Sequence, residues 1–266
     1  MPSDAHAHPH NLRNLLPEQE ALRRRLGIAC AASAWNLAEF AYHEQLALEA
    51  RESGAAPMVL CFALHPQLTV QHSIFHTAQL MEGTLRILET LAEEGRLGAI
   101  GETGIDCYSP MFRETAPIQE DIFVTHLDLA IAKQLPVVLH IRRAMDAVFA
   151  QTQRLRKVPA VILHSYSGTL EDGRSLLKRG INCYFSFGNP ILLNHKTAIA
   201  AFASLPQNTL LFETDAPFQP PRGERFSQWG DLSAILEGGA LLRQEHPEDL
   251  QRQVDANFRA AFGIDS

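Results

Sequence analysis

The sequence lacks the features of several protein classes. Its apolar runs are short, such as residues 28–32, and none approaches the roughly 20 residues needed to cross a bilayer. It has four cysteines, widely spaced and without a Cys-x-x-Cys pair, which indicates neither a disulfide framework nor a structural zinc site. Its 23 basic residues are outnumbered by 30 acidic ones, which argues against a broad basic surface for duplex nucleic acid. Any nucleic-acid contact must then be local, through a small basic patch or a bound metal.

Motifs of other enzyme classes are also missing. No Gly-x-Gly-x-x-Gly follows the first predicted strand, which disfavours an open dinucleotide-binding sheet. No Gly-x-Ser-x-Gly occurs, and no cysteine pairs persuasively with a histidine, so nucleophilic serine or cysteine catalysis is disfavoured. The N-terminus carries neither a basic region nor an apolar signal core, and we expect a cytoplasmic protein with no membrane contact.

The chain of 266 residues contains a regular alternation of short apolar strands and helical segments. Most strands are followed by a predicted helix, among them residues 80–94 and about 144–155, whereas residues 108–111 after the fourth strand are predicted as a loop. This alternation favours parallel pairing through right-handed crossovers. Eight strands are predicted at residues 4–8, 27–33, 57–64, 97–102, 136–140, 159–164, 180–186 and 209–215. Because no linker divides the chain, we expect residues 1–266 to form one α/β domain, a (β/α)8 TIM-type barrel. An open doubly wound sheet is the alternative.

Polar side chains stand at the carboxyl ends of most predicted strands. In chain order they are His6, His8, His65, Glu102, His140, His164 and Asp215. Any one histidine in such a place is more often structural, and Glu102 alone would more often pair with an arginine or lysine. In a barrel, however, these strand ends converge on one mouth, where buried donors and acceptors would compete for too few partners. A metal centre satisfies them together.

The candidate ligands fall into two pairs around one carboxylate. His6 and His8 lie two residues apart and can bind one ion, while His140 and His164 on adjacent strands can bind another. Glu102 lies between the pairs in strand order and is placed to bridge them. Imidazole and carboxylate ligands without thiolate suit Zn²⁺, Mn²⁺, Co²⁺ or Fe²⁺ better than Mg²⁺. The sequence therefore predicts two divalent ions and a metal-activated water.

Glu102 and Asp215 are the candidate catalytic carboxylates. Asp215 returns beside the first strand when the barrel closes, so it would complete the first metal site and serve as general base. Strand alternation places Glu102 on the same face as Ile100.

The ordered motifs are similar to those of a known family, the TatD-like metal-dependent deoxyribonucleases. They are Asp4-x-His6-x-His8, His65-Pro66, Gly101-Glu-Thr-Gly-Ile-Asp106, His140-x-Arg142, His164-x-Tyr166-Ser-Gly168 and Glu213-Thr-Asp-Ala-Pro217. The resemblance implies an amidohydrolase-like barrel with two divalent ions (Zn, Mn or Mg). It also implies phosphodiester hydrolysis, often as a 3′-to-5′ exonuclease on single-stranded DNA. It gives the two histidine pairs, Glu102 and Asp215 as metal ligands and places His65 and Arg142 near the substrate phosphate. For Arg142, an ion pair with a buried carboxylate is the alternative.

Two departures from the family pattern leave the substrate open. Gln67 stands where members usually carry a second histidine, and loop 218–230 lacks the usual Arg-Asn-x-Pro. Since the same hydroxide can attack an acyl carbon, a hydrolase of esters or amides, such as a D-aminoacyl-tRNA ester or a lactone, is the alternative function. A non-catalytic binding protein that kept the barrel is a second alternative.

Several neighbouring residues carry further expectations. Glu213 and Asp4 are each interpreted either as a partner of a ligand histidine or as a member of a buried structural pair. Arg143 is expected to point away from the mouth. Phe218 and Trp229 lie in a loop after a strand and are candidates for base stacking, with plain packing as the alternative.

Overall fold

The computed structural model describes residues 1–70 and 74–264. Eight parallel strands form one sheet in which each strand pairs with the next along the chain. The strands are β1 (Ser3–Ala7), β2 (Ala29–Ala34), β3 (Met58–Phe62), β4 (Ala99–Asp106), β5 (Val137–Arg142), β6 (Val161–Leu163), β7 (Cys183–Phe187) and β8 (Leu210–Phe212). All eight strands that the sequence predicts are present. The predicted (β/α)8 barrel is confirmed.

Helices follow the strands and cover the outside of the sheet. They are α1 (Pro9–Leu15), α2 (Gln19–Leu26), α3 (Leu37–Ser53), α4 (Ile74–Glu93), α5 (Pro110–Glu114), α6 (Ala116–Lys133), α7 (Met145–Ala150), α8 (Thr152–Leu155), α9 (Leu170–Lys178), α10 (Lys196–Ser204), α11 (Asp231–Arg243) and α12 (Pro247–Phe262). Single 3₁₀ turns occupy Pro66–Thr69, Asn189–Leu192 and Gln207–Thr209. Within the described ranges, no helix combines the length and apolarity that a bilayer span requires.

The sheet closes where the chain leaves β8. Asp215 N donates to His6 O at 3.0 Å, and His8 N donates to Ala216 O at 2.8 Å. The strand itself is shorter than the predicted 209–215 and ends at Phe212, and Asp215, three residues further on, adopts a left-handed backbone (φ 52°). The closing bonds therefore join the two chain segments that carry Asp215 and the first histidine pair.

Small and branched apolar residues together fill the inside of the barrel. Ala5, Ala31, Cys61 and Ala99 are fully buried and belong to one cluster, which Phe258 of α12 joins. A larger cluster packs the outer faces of the strands against the helices. Since β1 and β8 both contact α12, the C-terminal helix braces the point where the barrel closes.

Local structure departs from the sequence prediction in several places. Helix α1 was not predicted and starts directly after β1, with Pro9 at its first position, where proline is favourable. The helix predicted over 144–155 is two short helices, α7 and α8, and the predicted loop after β4 contains α5. Helix α4 begins at Ile74, six residues before its predicted start. These differences leave the strands in place, but β4 extends to Asp106, so the predicted end of this strand at Glu102 is wrong.

The prediction that Glu102 and Ile100 share one face of β4 is wrong. Ile100 packs in the outer cluster against helix α6, whereas the Glu102 side chain reaches histidines at the barrel mouth. The β4–β5 register shifts between Gly101 and Thr103, which interrupts the alternation at this carboxylate. Glycine at position 101 allows β4 to lie close to β5, since a Cβ atom there would lie only 2.5 Å from Val138 Cβ.

Candidate active site

Glu102 lies at the centre of the barrel mouth and is almost fully buried. Its Oε1 atom lies 2.6 Å from His140 Nδ1, 2.7 Å from His164 Nε2 and 3.2 Å from His65 Nε2. These three rings come from β5 and from the residues just after β6 and β3. The structure thus brings together four residues that are up to 99 positions apart in the chain.

The other oxygen of Glu102 faces the N-terminal histidine pair. Oε2 lies 3.2 Å from His6 Nε2 and 3.7 Å from His8 Nε2, and these two nitrogens are 3.1 Å apart. Asp215 Oδ1 completes the group, 3.6 Å from His6 Nε2 and 3.5 Å from His8 Nε2. One carboxylate therefore stands between two sets of imidazole nitrogens, in the order that the sequence predicts.

A polar atom beside the second ring nitrogen fixes the orientation of three of these imidazoles. The contacts are Ser33 Oγ to His6 Nδ1 at 3.2 Å, Asp106 Oδ2 to His140 Nε2 at 3.1 Å, and Glu213 Oε1 to His164 Nδ1 at 3.4 Å. Such outer contacts direct the remaining nitrogen of each ring toward the centre. The expectation that Glu213 partners a histidine agrees with this geometry.

His65 is oriented differently. Its Nδ1 accepts from Gln67 N at 3.2 Å, so a neutral ring carries its proton on Nε2, which faces Glu102 Oε1. Gln67, which departs from the family pattern, donates through Nε2 to Asp106 Oδ2 at 2.8 Å. In this tautomer His65 donates a hydrogen bond to the central carboxylate and has no lone pair directed at it.

The residues present fit a bound cation. Three overlapping groups bring their ligand atoms within 4.8 Å of one another: His6, His164 and Asp215; His6, His8 and Glu102; and His65, Glu102 and His140. When Asp106 accepts the outer proton of His140, the inner nitrogen of that ring presents a lone pair to Glu102 Oε1, and His164 Nε2 does the same when its ring proton lies on Nδ1, 3.4 Å from Glu213 Oε1. Lone pairs 2.6–2.7 Å apart repel unless a proton or metal ion lies among them.

The close packing of imidazoles and carboxylates shifts the pKa values of these groups. Burial opposes the charge of Glu102, but the surrounding imidazoles of His164, His65 and His6 outweigh it and hold its pKa well below the ordinary value. For His164, burial is outweighed by Glu102 and Glu213, which raise its pKa well above the ordinary value. The pKa of Asp215 is lowered, since His8, His6 and His164 outweigh burial. Both carboxylates are therefore anionic at neutral pH and available to a cation.

A further contact holds Asp215 Oδ2, the carboxylate oxygen other than the one that lies near His6 and His8. Gln219 Nε2 donates to Asp215 Oδ2 at 2.7 Å and lies 2.8 Å from Ser165 Oγ. Asp215, Gln219 and Ser165 all have positive φ, of 52°, 53° and 44°, although none is glycine. Such backbone conformations cost free energy and are often kept at functional sites.

Asp4 does not contact a histidine ring. Its carboxylate accepts from Thr214 N and Thr214 Oγ1 at 3.1 and 2.6 Å, and from His6 N at 3.2 Å. Full burial raises the pKa of Asp4 to about 7 despite these hydrogen bonds. Of the two interpretations, the partner of a ligand ring is wrong. Asp4 instead joins β1 to the segment that carries Asp215.

A cavity of about 1190 Å³ opens above the cluster. Arg142 is exposed on its wall, and its guanidinium lies 4.4 Å from the Tyr108 ring centroid, so the alternative of an ion pair with a buried carboxylate is wrong. The expectation that Arg143 points away is also wrong, since it lines the cavity with its guanidinium 4.6 Å from the same ring. Phe218 is half exposed beside His8, whereas Trp229 is buried and takes no part in base stacking.

Sequence reasoning overlooked several of these residues. Asp106 and Ser33 lie at strand ends, a signal that could have identified them as partners of ligand histidines. Gln219 gives no such signal, because it lies in an irregular segment whose course depends on the positive φ of Asp215.

Comparisons with known proteins agree with this geometry. The sequence matches the family described as TatD related DNase over residues 3–263. A protein of Klebsiella pneumoniae (strain 342) named "3'-5' ssDNA/RNA exonuclease TatD" is 33% identical over 186 residues, 66% of this chain and 69% of the relative. "Uncharacterized metal-dependent hydrolase YabD" of Bacillus subtilis (strain 168) is 31% identical over 190 residues, 70% of this chain and 72% of the relative.

Solved structures share the fold. The crystal structure of YJJV, a TatD homolog from Escherichia coli K12, has a TM-score of 0.80 and 24% identity, covering 99% of this chain and 98% of that chain. Organophosphorus hydrolase from Deinococcus radiodurans has a TM-score of 0.60 and 14% identity, covering 98% and 92%. At these identities the likeness establishes the barrel architecture.

Proposed function

The chain belongs to the TatD-related DNase family, and from this we propose that it is a divalent-metal-dependent phosphodiester hydrolase that degrades single-stranded DNA from the 3′ end. The observation that carries the proposal is the Glu102 carboxylate between two histidine pairs, with Asp215 beside the first. Relatives named as 3′-5′ single-stranded DNA and RNA exonucleases support the substrate class.

We assign six residues to the metal ions. His6, His8 and Asp215 would hold one ion, His140 and His164 the other, and Glu102 would contact both. The mixed imidazole and carboxylate donors suit Zn²⁺ or Mn²⁺, with Mg²⁺ as the third candidate. When bound, such ions stabilise the developing negative charge and lower the pKa of a coordinated water.

Side chains of the protein accept the proton and bind the substrate. Asp215 accepts the proton of the attacking water as general base, while the amide of Gln219 holds its other oxygen. We assign His65 and the exposed Arg142 to the substrate phosphate, whose charge Arg142 would balance; the Nε2 proton of His65, which faces Glu102 Oε1 here, would donate to the phosphate once Glu102 is engaged by metal ions. Glu102 stays anionic and keeps the two histidine pairs at a fixed separation.

We further propose that residues 1–266 work as one hydrolase domain in the cytoplasm. The hydrogen bond from Ser3 Oγ to Asp255 Oδ1 at 2.7 Å ties the last helix to the first strand, which supports one cooperative unit. The four free cysteines, three of them buried, are compatible with a reducing compartment.

Degradation of a 5′-labelled single-stranded oligodeoxynucleotide with added Mn²⁺ tests the proposal. The wild type should yield a ladder of products shortened from the 3′ end, and Asp215→Asn should lower kcat by about 10²–10⁴-fold. Asp128→Asn, an exposed aspartate on α6, should leave the rate unchanged. Cleavage of a D-aminoacyl-tRNA or a lactone with no turnover of DNA would overturn the proposal in favour of an ester hydrolase.

A further inference from the structure

Two arginines and one tyrosine form a cluster on the wall of the cavity, here called the Tyr108 platform: Tyr108, Arg142 and Arg143. Both guanidinium groups lie within the cation–π range of the Tyr108 ring, at 4.4 and 4.6 Å from its centroid. The ring is 51% exposed, and both arginines are exposed as well. All three residues line the cavity that contains Glu102.

The backbone holds this cluster in place beside the histidines. Cys107 N donates to Arg142 O at 2.8 Å, and Tyr108 N donates to Asp106 Oδ1 at 2.8 Å. The other oxygen of Asp106 contacts His140, so one carboxylate positions both the platform and a candidate metal ligand. Arg143 has a φ of 53°, and its Nη1 atom lies 3.4 Å from Tyr108 O. A non-glycine residue in this conformation is costly, yet it directs a second cation to the ring.

The charge of the platform is unusual for this protein. The chain has a net charge of −7, yet two adjacent arginines stand together on the cavity wall. In the part of the chain that the structure describes, neither guanidinium forms an ion pair with a carboxylate. By contrast, Arg24 and Arg96 each contact glutamate side chains. Two uncompensated guanidinium groups favour an anion between or beside them.

The chemistry of the cluster matches one kind of ligand. Guanidinium groups bind phosphate, and an exposed aromatic ring stacks on a nucleobase, which is the combination used by proteins that bind single-stranded nucleic acids. Arg142 lies two residues beyond His140 on β5, a span of about 6.6 Å along a strand. This offset lets Arg142 contact the scissile phosphate at the histidine cluster, with Arg143, the next residue in the chain, at the neighbouring phosphate of the strand.

We propose that the Tyr108 platform binds the nucleotide adjacent to the scissile phosphodiester, with Arg143 on its phosphate and Tyr108 on its base. The inference rests on the proposed function and deepens it, because it assigns a substrate with at least two phosphates. A substrate with a single phosphodiester and no neighbouring nucleotide cannot use this subsite.

A comparison of two substrates tests the platform. We would measure kcat/KM of the Mn²⁺-loaded enzyme on oligothymidylate and on bis(p-nitrophenyl) phosphate, which has only one phosphate. Arg143→Gln and Tyr108→Leu should each lower the ratio of the two kcat/KM values about tenfold, and Tyr108→Phe should restore it. Arg179→Gln is a matched control, since its guanidinium lies over Phe149 at 5.1 Å, away from the cavity, and it should leave the ratio unchanged.

Binding without turnover provides a second measurement. Fluorescence anisotropy of labelled oligothymidylate with metal-free enzyme gives the slope of log K against log salt concentration. Arg143→Gln should reduce the magnitude of this slope by about 0.7, the contribution of one phosphate contact on a single strand. An unchanged slope and an unchanged substrate ratio in both variants would overturn the platform. Absence of turnover on either substrate, with the slope reduced, would instead reject the proposed function alone.

Discussion

Asp106→Asn is the substitution that most directly probes how the histidine cluster is arranged. Asp106 Oδ2 lies 3.1 Å from His140 Nε2 and accepts from Gln67 Nε2 at 2.8 Å, while Oδ1 accepts from Tyr108 N. These hydrogen bonds outweigh burial and lower the pKa of the carboxyl to about 2, so it is anionic at every working pH. As long as it is anionic, His140 keeps its proton on Nε2 and offers a lone pair at Nδ1.

The substitution converts this acceptor into a donor. The asparagine oxygen can keep the hydrogen bond from Tyr108, and its amide nitrogen then faces His140 Nε2 and Gln67. His140 must then move its proton to Nδ1, which faces Glu102 Oε1 at 2.6 Å and is the proposed ligand atom. A lost hydrogen bond to a charged group costs about 1.5–3 kcal/mol. Metal affinity should therefore fall about tenfold to a hundredfold, the usual effect of losing an outer-shell partner.

Isothermal titration of the metal-free protein with Mn²⁺ measures this loss. Asp128→Asn removes a carboxylate from an exposed ion pair with Arg154 on the outside of the barrel and should leave metal affinity unchanged. Thermal unfolding of the metal-free proteins checks that Asp106→Asn remains folded. If a folded Asp106→Asn protein binds Mn²⁺ as tightly as the wild type, the assigned His140 tautomer is wrong.

Three further expectations follow from the same geometry. Gln219→Leu removes the amide that holds Asp215 Oδ2 and should lower kcat about tenfold to a hundredfold at saturating Mn²⁺, whereas an unchanged kcat would show that Asp215 needs no such support. Burial lowers the pKa of His126 to about 4. The neutral ring accepts a hydrogen bond from Leu64 N at Nε2 and donates one from Nδ1 to Ile122 O. The unfolded chain protonates this histidine as the pH falls below about 6.5, whereas the folded protein does so only near pH 4. The free energy of unfolding should therefore fall by about 3 kcal/mol between pH 7 and pH 4 because of this group. His126→Gln should reduce the pH dependence of urea unfolding by that amount, and an equal dependence in both proteins would contradict it. Finally, excess EDTA should abolish oligonucleotide cleavage and added Mn²⁺ should restore it, and cleavage that persists in EDTA would contradict the metal requirement.

Several strand ends could be predicted because they follow from local pattern. The apolar runs before His65, His140 and His164 predict buried strands, and parallel strands in a barrel bring their carboxyl ends to one mouth. The polar residues at those ends therefore meet wherever the strands lie in the sequence. This is why the convergence of the histidines and carboxylates could be argued without coordinates.

Side-chain direction could not be predicted in the same way. Glu102 departs from strand alternation because the β4–β5 register shifts at that point, and Arg143 faces Tyr108 because its φ is positive. Trp229 is buried because its loop packs back onto the barrel, where Gln19 Oε1 accepts from Trp229 N at 3.3 Å. Each of these features depends on contacts between distant segments, and no periodic pattern in the sequence encodes them.

Anomalous diffraction from crystals soaked in Mn²⁺ tests the central claim most directly. The account predicts two peaks about 3.5–4 Å apart, one beside His6, His8 and Asp215 and the other beside His140 and His164, with the Glu102 carboxylate contacting both. Peaks only at other places on the surface, or no peak at all at saturating Mn²⁺, would contradict it.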